Sequence, residues 1–177
     1  MQRTDIPPGD FLVPAVHVWH SQWLLLSAGD FAGKDWNCMT VGWGSFGVMW
    51  GKPFAQIVVR PTRYTIRFTD SSPGFTLCAF PEEYRKALSW LGSHSGRDGD
   101  KVKPTGLTPI ASRVVAAPGF DEAELIVECR TMYSADLDPA RFLDPGIETN
   151  YPKKDYHRAY FGEIVALSGT PAWRRKE

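Results

Sequence analysis

The chain has 177 residues, 43% apolar and 23% charged, with 20 Lys plus Arg against 20 Asp plus Glu. Zero net charge removes the electrostatic footprint of a nucleic-acid coat or a polybasic membrane binder, and no apolar run approaches the roughly 18 residues of a membrane-spanning helix. Sixteen glycines and 14 prolines favour a loop-rich β architecture over a helical bundle, and seven tryptophans supply material for a flat-ligand pocket or an aromatic interface.

The length suits one domain, 1–177, with a core over about 11–168 and a peripheral tail at 169–177. The first ten residues hold no apolar run followed by a small-residue cleavage site, so a soluble cytoplasmic protein is expected. Cys38, Cys78 and Cys129 are odd in number and lack CxxC spacing. They suit neither a disulfide framework nor a zinc site, and read as small buried apolar residues.

Residues 11–19 and 22–27 read as two strands joined at His20–Ser21, which would set His17 and His20 on opposite faces, unsuited to a metal pair. A short strand over 37–41 runs into the glycine-spaced stretch Gly42-Trp43-Gly44-Ser45-Phe46-Gly47. Residues 54–59, with Ile57, Val58 and Val59 in succession, have the composition of a buried strand, which Pro61 ends. A short helix is predicted over 63–70 and a further strand over 75–80. The clearest helix covers 81–92: Pro81 suits a first turn, Glu82 and Glu83 sit at the positive dipole end, and Phe80, Tyr84, Leu88 and Leu91 fall on one stripe before Gly92. The clearest strand covers 123–133, with Leu125, Val127, Cys129, Thr131 and Tyr133 on one face and Glu124, Glu128 and Arg130 on the other. A helical turn over 138–143 and a long strand over 160–167 complete the pattern, which suits a small β-barrel with helical insertions.

Four segments could carry chemistry. In the first, 36–44, glycines around Trp43 let a ligand approach the backbone, and Asn37 and Thr40 add polar groups; the structural alternative is a twisted barrel strand with Trp43 in the core. In the second, 59–65, a buried strand delivers Arg60, Thr62, Arg63 and Thr65 to a helix start, an arrangement that suits a phosphate or an ordinary capped helix with solvated arginines. The third, 93–101, lacks the lysine and hydroxyl of a P-loop and the spacing of a dinucleotide fingerprint; it reads as a solvated loop or as a lid whose hydroxyls, Arg97 and Lys101 reach a polar ligand. The fourth, 155–164, places His157 just before the last strand, where a histidine is either structural or part of a site.

Taken together, Asn37-x-Met39-Thr40, the Gly-Trp-Gly stretch, Arg60-Pro61-x-Arg63-Tyr64-Thr65, and His157 followed by Gly162-Glu163-Ile164 resemble the flavin reductase-like family. The His94-to-Asp98 loop and Asn150-Tyr151-Pro152 with Asp155-Tyr156-His157 resemble its flavoredoxin-like branch. The resemblance spans about residues 11–168 and rests on the order and spacing of the segments.

It implies a mainly β, Greek-key FMN-binding split barrel that forms a homodimer with FMN near the interface. Asn37, Cys38, Met39, Thr40 and Trp43 match the strand and loop at the isoalloxazine ring. Arg60, Arg63 and Thr65, with Tyr64 between them, match the phosphate end. Ser95, Gly96 and Lys101 match a loop closing over the ribityl and phosphate, and His157 a histidine close to the ring. The implied activity is an oxidoreductase taking electrons from NAD(P)H through FMN to a flavin or protein acceptor. The alternatives are an FMN-holding electron-transfer protein without NAD(P)H activity, and a non-catalytic ligand-binding barrel. Arg97, Lys154 and Arg158 are candidates to meet the extra phosphate of NADPH.

Overall fold

The computed structural model describes residues 1–176. The chain runs through β1 (Thr4–Asp5), α1 (Ala15–His17), β2 (Leu24–Asp30), β3 (Asp35–Val41), β4 (Gly44–Met49), β5 (Lys52–Val59), α2 (Ile66–Ser71), β6 (Gly74–Ala79), α3 (Arg85–Ser93), β7 (Pro109–Ile110), β8 (Gly119–Phe120), β9 (Leu125–Asp136) and β10 (Arg158–Gly169). One antiparallel sheet has the order β3-β2-β6-β9-β10-β5-β4, with β1 also paired to β10 and a separate two-stranded piece formed by β7 and β8. The chain leaves β5 beside β10 and returns as β6 beside β2, the kind of long crossover that a Greek key requires. Mainly β structure with few helices therefore stands as expected.

The periodicities explain the long elements. Leu125, Val127 and Cys129 of β9 enter the main core together with Ile57 and Val59 of β5 and Leu24 and Leu26 of β2. Two register shifts in the β9–β10 pairing, between Phe161 and Gly162 and between Ile164 and Ala166, mark bulges, which bend a sheet and raise its twist. Gly162 sits where β10 passes closest to the core: an added Cβ would come 2.7 Å from both Phe75 and Cys129. The stripe on α3 does what its spacing implies, burying Leu88 and Leu91 with Cys38, Cys78 and Phe80 in a second cluster. All three cysteines are buried and free. Burial pushes the thiols of Cys38 and Cys78 up to about 12 and raises that of Cys129 as well, so they are inert apolar groups at neutral pH.

Several expectations are corrected. Residues 11–19 do not form a strand: Ala15–His17 is helical and a π-helical turn covers Val18–Gln22. Pro14 opens this helix and its carbonyl accepts from the Val18 N–H at 2.9 Å. His17 and His20 consequently lie on helical turns, so reasoning from opposite strand faces does not apply. The short helix after Pro61 begins at Ile66 rather than at 63. The glycine-spaced stretch after Gly42 is itself a strand, β4, hydrogen-bonded to β5.

Glu128, on the face of β9 that also carries Glu124 and Arg130, is 3% exposed and accepts backbone N–H bonds from Arg113, Val114 and Val115, so a loop covers this face at that point. Tyr133, read on one face with Leu125, Val127 and Cys129, is 51% exposed beyond the β9–β10 bulge while those three are buried. The tail is not wholly peripheral: Trp173 is buried in the main core, and Phe11 bridges to Arg174. A large apolar ring outweighs its terminal position.

Candidate functional site

Two adjoining cavities open where β3, the turn after β5, α3 and the loop before β10 meet. The larger, about 670 Å³, is walled by Met39, Val41, Trp43, Val58 and His157, with Thr40, Arg60, Arg63, Lys153 and Asp155 around it. The smaller, about 120 Å³, is lined by Arg63, Arg97 and Lys101, by the hydroxyls of Thr62, Tyr64, Thr65, Ser93 and Ser95, and by Asn37 and Gly96. Among the described residues, no carboxylate lines the smaller cavity. Met39, Thr62 and Arg63 border both.

The alternation of β3 sorts its residues. Asn37 and Met39 reach the cavities, whereas the Cys38 side chain points into the second core cluster beside Leu88 and Leu91. Cys38 is thus not a cavity residue; only its carbonyl takes part, accepting from the Thr65 hydroxyl at 3.4 Å. Thr40 borders the larger cavity while its hydroxyl donates to Leu88 O at 2.5 Å, tying β3 to α3. The other expected residues, Trp43, Arg60, Arg63, Tyr64, Thr65, Ser95, Gly96, Lys101 and His157, all line one cavity or the other. Trp43 is 51% exposed, so the alternative that buries it in the core is set aside.

At the small cavity the polar groups hold one another. Asn37 Nδ2 donates to Thr65 Oγ1 at 3.0 Å in a buried bond. An added Cβ at Gly96 would strike Asn37 Oδ1, so only glycine lets this loop approach so closely. Lys101 is buried, and its ammonium donates to Leu91 O at 2.9 Å and His94 O at 3.0 Å, carbonyls at the end of α3. A cation there also meets the negative dipole end. Burial lowers the Lys101 pKa from its ordinary value. Arg63 donates to Gly92 O at 3.1 Å, and Arg97 lies over the Tyr64 ring at 5.1 Å.

At the large cavity, Arg60 is held by Asp155 at 3.3 Å and by Asn150 O at 2.9 Å, and lies over the Tyr151 ring. His157 faces Trp43, with ring centroids 5.1 Å apart, and its Nδ1 shares a hydrogen bond with the Tyr151 hydroxyl at 2.9 Å. Burial, and then the nearby Arg60 charge, push its pKa down to about 4. Burial raises that of Tyr151. Both partners are therefore neutral at neutral pH.

The site residues implied by the resemblance leave out Thr62, which the segment 59–65 had placed at the helix start and which borders both cavities, and Lys153 and Asp155 at the mouth of the larger one. Thr62 and Asp155 lie inside segments singled out for their polar residues; nothing in the spacing told them from their neighbours. Arg158, a candidate for an extra phosphate, is instead committed to Asp70 at 2.8 Å and Asp136 at 2.6 Å. Lys153 rather than Lys154 lines the larger cavity.

Residues 20–171 match the family model described as the flavin reductase like domain. The chain belongs to the flavin reductase-like family. Among solved structures it is similar to flavoredoxin of Desulfovibrio vulgaris (Miyazaki F), with TM-score 0.66 and 19% identity over 91% of this chain and 73% of that one. An FMN-binding domain of a flavin reductases-like enzyme from Shewanella baltica gives TM-score 0.68 and 15% identity over 95% and 77%. The FMN-binding protein from Thermus thermophilus gives 0.66 and 19% over 93% and 83%. These likenesses establish the split-barrel fold. No curated protein sequence matches. Among the described residues, no helix is long and apolar enough to cross a membrane.

Proposed function

We propose that the two cavities together hold one FMN, and that the protein is an oxidoreductase passing electrons from NAD(P)H to a flavin or protein acceptor. The carrying observation is the contrast between adjoining cavities: one with the flat faces of Trp43 and His157, the other with three cations, five hydroxyls and, among the described residues, no carboxylate. That pairing suits a molecule with a planar ring at one end and a phosphate at the other, and the larger volume is within the roughly 300–1,000 Å³ of small-molecule sites. The donor set fits FMN. Arg63, Arg97 and Lys101, with Ser95 and Thr65, would hold the phosphate end; Met39, Trp43 and His157 would hold the ring.

The chemistry a bound FMN supplies is hydride and electron transfer. The chain's own residues bind and orient. Arg60, clamped by Asp155 and Asn150, is fixed beside the cavity rather than free to swing. The neutral His157 offers a hydrogen bond and a flat face, without a proton to give at neutral pH. The absorption spectrum of the purified protein tests the reading, with titration of FMN against riboflavin. FMN should bind more tightly by charge-assisted hydrogen bonds worth about 1.5–3 kcal/mol each, and equal affinities would count against the phosphate assignment. Arg63→Ala should lose flavin on dialysis at nearly unchanged stability, since the side chain makes a single exposed bond to Gly92 O. Full flavin occupancy in that variant would sink its role.

Anaerobic mixing with NADH and NADPH decides between direct reduction and an electron-transfer role fed by another protein. A homodimer belongs to the same reading. Trp50, Tyr133 and Val48 are 61%, 51% and 74% exposed around β4, β9 and β10, an apolar surface that suits a second copy. Sedimentation as a monomer at micromolar concentration would refute it.

A further inference from the structure

A third cavity, of about 450 Å³, lies beyond the Gly42-Trp43-Gly44 segment and shares Gly42 and Trp43 with the larger cavity of the flavin site. Its walls are Trp19, Trp23, Trp43 and Phe46, with Val16 at 81% exposure among its lining residues. His20 and Ser45 are its polar lining residues, and among the described residues no Asp, Glu, Lys or Arg lines it. Trp19 and Phe46 pack together with centroids 5.2 Å apart.

The backbone here is unusual. Trp23 has φ 64° and ψ 157°, a conformation almost confined to glycine, and it follows the π-helical turn Val18–Gln22. Both features concentrate at functional sites. The ring is held from outside the cavity lining: the Arg85 guanidinium lies 3.3 Å from its centroid, and Arg85 also donates to the carbonyls of Ser21 and Gln22. Arg85 therefore holds the Trp23 ring by one contact and the two residues before it by two more, around a costly backbone conformation that places an indole at this cavity.

We propose that this aromatic cavity is a second binding site, for a planar, uncharged molecule of one or two conjugated rings, of the quinone class. The volume suits such a molecule. With no carboxylate, lysine or arginine among the described lining residues, and His20 and Ser45 as the polar groups, the cavity disfavours ions, which would lose hydration without a strong partner. Stacking on indole faces supplies the attraction. Because Trp43 and Gly42 also border the proposed flavin cavity, the occupant sits within one residue's thickness of it, the position of an electron acceptor. That last role rests on the FMN reading; the binding site does not.

The test is isothermal titration of the oxidised protein, as purified, with duroquinone, a planar neutral quinone whose full substitution prevents thiol addition. One molecule should bind per chain without displacing flavin. Val16→Glu, at an exposed position, should weaken binding by about tenfold or more by placing a carboxylate at an apolar site. Trp23→Gly should abolish binding; glycine relieves the strained backbone and so offsets part of the packing lost against Arg85 and the second core cluster, and a cooperative melting transition confirms that the variant is folded. The proposal is overturned by no binding to the wild type, by binding that displaces flavin, or by Val16→Glu and Trp23→Gly binding normally. It is also overturned by binding that weakens as protein concentration rises, the mark of a second copy covering the surface. A protein that takes up no FMN in titration but still binds duroquinone would refute the FMN reading and leave this site standing.

Discussion

Replacing His157 by Gln removes a titrating group while keeping a side chain that can hydrogen-bond the Tyr151 hydroxyl. In the native protein, burial and then Arg60 push the imidazole from 6.5 down to about 4. Between those values the unfolded chain binds a proton that the folded protein refuses. His157 therefore costs no stability above pH 6.5, and stability is lost progressively as pH falls from there towards about 4. A shift of this size corresponds to about 3 kcal/mol at most, and because the ring is only partly buried, solvent reduces the expected loss to about 1–2 kcal/mol. The assay is urea unfolding of wild type and His157→Gln at about pH 7.5 and about pH 5, comparing differences so that other titrating groups cancel. The wild type should lose about 1–2 kcal/mol more than the variant over that interval. Parallel losses would show that the folded protein protonates His157 readily, and the argument from burial would fail. Under the proposed site the substitution also shifts the flavin absorption bands. An unchanged spectrum and reduction rate would assign His157 to the scaffold.

Two further perturbations probe the smaller cavity. Gly96→Ala drives a methyl group against Asn37 Oδ1 and disturbs the buried Asn37–Thr65 bond; a loss of about 1–3 kcal/mol in unfolding free energy is expected, with weaker flavin retention, and wild-type stability would refute the close approach. Lys101→Met keeps the apolar stem but removes the ammonium from Leu91 O and His94 O, so thermal or urea unfolding should show a loss of about 1.5–3 kcal/mol; no change would mean that the end of α3 does not depend on this cation.

By itself the sequence determined the elements whose signal is local and repeated. The apolar run at 54–59, the four-four-three stripe on α3 and the alternation through Leu125, Val127 and Cys129 each bury a face by period alone, and the structure places them in its two cores. Composition also singled out the polar segments, and of the thirteen site residues that the family resemblance implied, twelve border the two adjoining cavities. Cys38 is the exception, because one step along a strand reverses the face.

Only the tertiary structure decided matters that depend on what lies opposite in space. It exposes Trp43 and buries Trp173, although both are tryptophans beside short irregular segments. It buries Glu128 under a loop that arrives from fifteen residues away, bonded to the N–H of Arg113. It turns Lys101, a charge with the look of a ligand-facing group, partly back onto the carbonyls of α3. It makes a helical turn of 15–22 where alternation suggested a strand, and holds Trp23 in a backbone conformation that no local preference would select. The reason is common to all of these: side-chain periodicity reports which face is apolar, whereas partners distant in sequence decide what covers that face and where each polar group is satisfied.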